Sequence, residues 1–236
     1  MKKIVLAVIF LGILQTLAAQ ERKVKNLPIY DRKPVHFGFT LGLNTMDFLI
    51  YPNASFESSP VVYSVENQKL PGFNLGPMAN FRLGRYFDFR TLIVLSFGQR
   101  NLQYRVSEDS SFSGQLSFEE MQIESTFLEF PLLLKYKARR LNNLRPYVIA
   151  GMNPKIDLAA RKEIKDEDRP QIRLQNYDIY YEAGLGIDFY LPYFKLSAEI
   201  KYSQGLLNVM VPDETPYTQT LDKISSRMLM LSFHFE

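Results

Sequence analysis

Residues 177–203 read YDIYYEAGLGIDFYLPYFKLSAEIKYS. From Ile179 the odd positions carry Ile179, Tyr181, Ala183, Leu185, Ile187 and Phe189, whereas the even ones carry Asp178, Tyr180, Glu182, Gly184, Gly186 and Asp188. That is a period of two. After a tight link at residues 190–193 the alternation resumes as Phe194, Leu196, Ala198, Ile200 and Tyr202 against Lys195, Ser197, Glu199, Lys201 and Ser203. Two neighbouring strands therefore each present one apolar face and one face of charges and glycines.

In a soluble sandwich the apolar face is the core, and the outer face has little use for so many glycines. In a transmembrane barrel the apolar face meets lipid and the inward face is polar, with glycine where the lumen is crowded. Phe189, Tyr190, Tyr193 and Phe194 at one end and Tyr202 at the other fit interfacial girdles, because an amphipathic ring sits well at headgroup level. Lipid outside is the better reading, with a secreted sandwich as the alternative.

The remaining strands follow by working outward. Residues 36–44, 72–84, 89–103, 122–137, 146–158 and 228–235 complete eight with the two already read, although the facing of 146–158 is ambiguous. Pro77 and residues near Ser125, where Met121 and Ile123 fall on the opposite parity, are expected bulges. The links at 84–88, 138–145 and 190–193 are short, while 45–71, 104–118, 159–175 and 208–221 read as long loops. Short turns on one side and long loops on the other predict an all-β, eight-stranded antiparallel up-and-down transmembrane β-barrel with both termini in the periplasm.

The chain has 236 residues, 46% of them hydrophobic, with 18 Phe, 14 Tyr and no Cys or Trp. Its mean hydropathy of −0.14 argues against a helical membrane protein, yet an alternating barrel averages to such a value. MKKIVLAVIFLGILQTLAAQ, residues 1–20, has two lysines, a short apolar core and small residues before Gln20, and reads as a cleaved signal peptide. Residues 21–35, polar and basic, read as a periplasmic lead-in or as a disordered polar tail, and 36–236 as the barrel domain. The formal charge of +3 falls to about +1 once Lys2 and Lys3 are removed, which leaves no electrostatic case for nucleic acid. Outer-membrane lipid is the expected surrounding, and no small-molecule substrate is evident.

No catalytic, cofactor or metal site is expected. His36 and His234 lie on the first and last strands with lumen parity and could meet near the periplasmic rim, but a metal site wants three or four ligands. The inward charges Arg82, Arg90, Glu129, Lys135, Glu182, Asp188, Lys195, Glu199 and Lys201 are of mixed sign. An eight-stranded interior is just wide enough for side chains to fill. A polar network that closes the lumen, joined by His36 and His234, is the expectation, and a conducting pore is not. Arg32 and Lys33 in the lead-in, with Arg139, Arg140 and Arg145 in a turn, read either as arginines anchored near the headgroups or as a candidate positive surface for a periplasmic partner.

FLEFPLLLKYK at residues 127–137 and RPYVIAG at 145–151 resemble the PorT-like outer-membrane β-barrel family of Bacteroidetes. NLPIYDRKPVHFGFTLGLNTMDF, YFKLSAEIKYSQGLLNVMV and LDKISSRMLMLSFHFE carry a closer likeness to its secretion branch. The resemblance implies a non-enzymatic accessory component of the type IX secretion system, needed for export of proteins with a C-terminal sorting domain and, in gliding bacteria, for motility. A structural or adhesive barrel working through its extracellular loops, or a lipid-modifying barrel enzyme, are the alternatives.

Overall fold

A computed structural model describes residues 25–53, 62–107, 116–160, 174–211 and 221–236. The proposed signal peptide lies outside them. Ten strand segments form one antiparallel sheet: β1 (Val35–Pro52), β2 (Val62–Arg82), β3 (Phe87–Leu92), β4 (Val94–Ser107), β5 (Leu116–Glu129), β6 (Leu132–Lys137), β7 (Leu144–Asp157), β8 (Tyr177–Tyr190), β9 (Lys195–Gly205) and β10 (Leu221–Phe235). β3 and β4 are two parts of one spanning strand interrupted at Ile93, and β5 and β6 are two parts of another interrupted at Phe130 and Pro131. Eight strands therefore span. β1 pairs with both β2 and β10, Leu41 opposing Leu75 on one side and Phe233 on the other, so the sheet closes on itself and leaves no edge.

The facing agrees with lipid outside. Phe37, Leu43, Leu185, Val148 and Leu229 are exposed on the outer wall, whereas Glu182, Asp188, Lys135, Glu199 and Lys201 are buried within. β7, ambiguous in sequence, points Tyr147, Ile149, Asn153, Lys155 and Asp157 inward and Val148, Ala150 and Met152 outward. The barrel glycines have inward parity for a steric reason. A Cβ on Gly42 would stand 2.7 Å from Asn74 Oδ1, and one on Gly186 would stand 2.5 Å from the Tyr147 hydroxyl.

Several expectations change. The pairing of β4 with β5 runs without a shift from Val94 opposite Glu129 to Ser107 opposite Leu116, so there is no bulge at Ser125. Ile123 keeps inward parity because an apolar layer of Phe48, Leu102, Val209, Met210, Leu221 and Ile224 fills the lumen there. Pro77 leaves the pairing of β1 with β2 intact; the break appears across from it at Ile93, whose N–H still donates to the Pro77 carbonyl at 3.1 Å. Pro77 has no N–H to return. Segment 45–71 is largely strand, since β1 runs to Pro52 and β2 starts at Val62, and 104–118 is strand at both ends, where β4 reaches Ser107 and β5 starts at Leu116. Towards this end the lumen is filled by apolar residues such as Phe48 while the outer face turns polar at Asp47, so the apolar-out, polar-in alternation fades while backbone pairing continues. Tyr190 is buried at the lumen mouth rather than girdling the wall, while Tyr193 is fully exposed in the turn beside it.

Candidate functional site

The interior and the mouth at the chain ends are where polar chemistry concentrates. Along the lumen, alternate residues of facing strands meet as ion pairs: Arg90 with Glu199 at 2.8 Å, Lys135 with Asp188 at 2.8 Å, Lys201 with Glu182 at 2.7 Å and Lys155 with Glu129 at 3.3 Å. Asn153 donates to both Glu129 and Glu182, tying two pairs together. Tyr147 donates to Glu199 and lies under the Lys135 ammonium, 3.6 Å from its ring centroid. Buried charges persist when paired and hydrogen-bonded. Met78, Leu92, Val94, Leu133, Tyr147 and Ile149 pack as an apolar layer among them, and Met46, Phe127, Met228 and Met230 as another.

Of the expected network, Arg90, Glu129, Lys135, Glu182, Asp188, Lys195, Glu199, Lys201 and His234 are buried in the lumen. Arg82 has lumen parity but emerges at the rim, where its Nε donates to the Gly84 carbonyl at 3.2 Å. The histidines take different partners: His234 Nε2 lies 3.5 Å from Glu199, whereas His36 Nε2 lies 2.9 Å from the Tyr30 carbonyl and its ring stacks on Tyr30. Among the described residues no three His, Cys, Asp or Glu side chains converge as a metal would require.

Lys155, Asp157, Asp88, Lys137, Arg100 and Glu236 also belong to the network, although the expected set lacks them. For β7 the ambiguous facing hid Lys155 and Asp157. Glu236 is the last residue, past the periodic run, and its side chain turns into the lumen to meet Lys195 at 2.8 Å and Arg90 at 3.7 Å.

The lead-in is a strap across the mouth at the chain ends. A short 3₁₀ turn at Tyr30–Arg32 aims Asp31 at Arg145 (2.9 Å), Arg140 (3.4 Å) and the Tyr190 hydroxyl (3.1 Å). Asn26 bonds Asn143 and the Tyr190 carbonyl, and Arg140 donates to the Asn26 carbonyl while its guanidinium covers the Tyr190 ring. Tyr30 donates to Glu236 at 2.5 Å, so the lead-in is tied to the residue that follows β10. Burial, then the Glu236 charge, raises the Tyr30 pKa far above the ordinary phenol value. Burial alone would raise the Glu236 carboxyl, but Lys195 and Arg90 outweigh it and hold the carboxyl well below its usual range.

Arg140 and Arg145 are thus turned onto Asp31, with little of either side chain exposed. Arg32, Lys33 and Arg139 are exposed, and Lys25, Arg82 and Arg85 join them at this mouth. Among the described side chains at this mouth the one carboxylate that is not buried is that of Asp31, and it is already paired.

Comparison with solved structures finds outer-membrane barrels. Neisserial surface protein A is 11% identical, with 86% of this chain and 98% of that one covered and a TM-score of 0.43. OprG of Pseudomonas aeruginosa is 14% identical, with 85% and 93% covered and a TM-score of 0.43. Ail, the attachment invasion locus protein of Yersinia pestis, solved with the heparin analogue sucrose octasulfate, is 14% identical, with 86% and 99% covered and a TM-score of 0.38. No curated protein matches the sequence. The family model described as an outer membrane protein beta-barrel domain matches residues 18–211, most of the chain, and the chain belongs to that family.

Proposed function

We propose that this barrel is a non-enzymatic accessory component of a type IX secretion apparatus, in the role of PorT, with both chain ends in the periplasm. The observation that carries the reading is where the resembling segments lie. NLPIYDRKPVHFGFTLGLNTMDF supplies the strap and β1, and LDKISSRMLMLSFHFE supplies β10 with Glu236. These segments are joined through Tyr30 and Glu236 and paired from Phe39 opposite Phe235 upward, so the residues that carry the likeness build the seam that closes the barrel and the strap over one of its mouths. A lumen packed with ion pairs and apolar layers supports work at the ends of the barrel rather than passage through it. Exposed Arg32, Lys33 and Arg139 then form the contact surface for another component of the apparatus.

A deletion strain tests this. Loss of secreted proteins bearing C-terminal sorting domains, with a normal lipid profile, is the expected result. Normal secretion with altered surface adhesion would favour a structural or adhesive barrel, and changed lipid acylation a barrel enzyme. Arg139→Glu together with Arg32→Glu should reduce secretion while leaving the barrel folded; secretion at the wild-type level would remove the partner surface.

A further inference from the structure

At the opposite mouth the outer wall carries charges that the lipid band below lacks. Arg227 on β10 and Asp47 on β1 oppose each other in the ladder. Arg227 Nε donates to Asp47 Oδ2 at 2.6 Å, its Nη2 meets the same oxygen, and Lys69 Nζ on β2 lies 3.3 Å from that oxygen. The Asp47 side chain is nearly buried, whereas those of Lys69 and Arg227 are 57% and 34% exposed. On the next strand Gln204 sits opposite Arg227 and accepts hydrogen bonds from the hydroxyls of Tyr181 (2.6 Å) and Tyr202 (2.9 Å). A row of polar groups thus crosses five neighbouring strands, β2, β1, β10, β9 and β8.

Height decides what this row meets. Phe37 is the outward residue at the other end of β1, and Asp47 is ten residues further on. At ~3.3 Å per residue along a strand tilted by about 40°, the two stand about 25 Å apart along the barrel axis, the height of the apolar band of such barrels. The charges therefore lie where hydrocarbon gives way to headgroups. One carboxylate oxygen cannot occupy the donors of both cations, since a guanidinium carries five N–H groups and an ammonium three. Asp47 leaves the pair with net positive charge and holds both cations on one centre.

We propose that Arg227 and Lys69, fixed by Asp47, bind the phosphate of a phosphorylated glycolipid headgroup in the leaflet at this mouth. Arginine supplies a fork that fits phosphate oxygens, lysine a second charge, and Gln204 with its two tyrosines the neutral partners a sugar beside that phosphate would use. Assigning this leaflet to the outer face rests on the chain ends being periplasmic, as proposed above.

The test uses the whole mature chain folded into phosphatidylcholine vesicles that contain either lipid A or its dephosphorylated form. Lipid A should raise the thermal unfolding midpoint by about 5 °C over the dephosphorylated lipid. Lys69→Gln and Arg227→Gln should each abolish most of that difference, Arg227→Lys should keep part of it, and Arg139→Gln at the other mouth should leave it unchanged. Lys69→Gln carries the test should Arg227→Gln fail to fold, because Lys69 is the more exposed of the two. Equal midpoints in the two lipids, or a full shift retained by Lys69→Gln, would overturn the site. Equal protection by millimolar inorganic phosphate would overturn the lipid as its ligand. Labelling of Ile29→Cys in intact cells reads orientation separately: labelling from outside would remove the outer-leaflet assignment and the periplasmic reading together, whatever the vesicles show.

Discussion

Lys135 places its ammonium between both oxygens of Asp188, at 2.8 and 2.9 Å, and Ser197 donates to the same carboxylate at 2.6 Å. None of these groups reaches solvent, so the attraction offsets a large desolvation cost only while both partners remain. Lys135→Met is expected to destabilise the barrel by about 3–5 kcal/mol, read as a lower urea midpoint in vesicles, and Lys135→Met with Asp188→Leu should recover part of that loss. Gly186 shows the steric counterpart. A methyl group there would meet the Tyr147 ring, which is held by Glu199 and Lys135, and Gly186→Ala should cost about 1–3 kcal/mol in the same assay. Ala183→Gly on the lipid face, where nothing comparable presses, is the control. Residue types at these positions were legible from parity alone; their partners were not, because a pair forms across strands distant in sequence.

At the scale of elements, the strap depends on Asp31. Asp31→Asn keeps the shape and weakens the attraction of Arg140 and Arg145, so trypsin should cut after Arg32 about tenfold faster, equivalent to ~1.4 kcal/mol of easier opening. Its link to β10 has a pH signature with a definite sign. Glu236 has a depressed pKa in the folded state, so its contribution is present above the ordinary carboxyl value of about 4.3 and is lost only as pH falls below it. Tyr30 has a raised pKa, so its contribution is complete below about 10 and declines as pH climbs above that. An environment-sensitive dye at Ile29→Cys should report a closed strap from about pH 5 to 10 and release outside that window, and Tyr30→Phe should remove the alkaline limb. The lead-in reads from sequence as a polar tail, since a strap of ten residues has no periodicity of its own. Its order comes from Arg140, Arg145 and Tyr190, more than a hundred residues away.

For the whole molecule, closure is the governing feature. The β1 and β10 seam pairs Leu43 with Leu231, and Leu43→Cys with Leu231→Cys in a chain that has no cysteine of its own should cross-link on oxidation and hold the barrel folded in hot detergent. Failure to cross-link would argue for an open sheet. The filled lumen gives a second expectation: planar bilayers containing the protein should show no steady conductance, and removing residues 21–33 should leave them closed, because Tyr147, Arg90 and Leu133 still block the interior below the strap.

By itself the sequence determined which face of every spanning strand but β7 meets lipid, the number of those strands and the order of short and long connections. Those follow from local periodicity, and a side chain's side of the sheet is set by its parity. Only the tertiary structure decided that Glu236 meets Lys195 and Arg90, that Asp31 claims two arginines, that Arg82 leaves the lumen and that Ile123 stays within it. Those outcomes depend on which distant strand supplies a counter-charge or an apolar neighbour at the same height, and a periodicity of two carries no information about height.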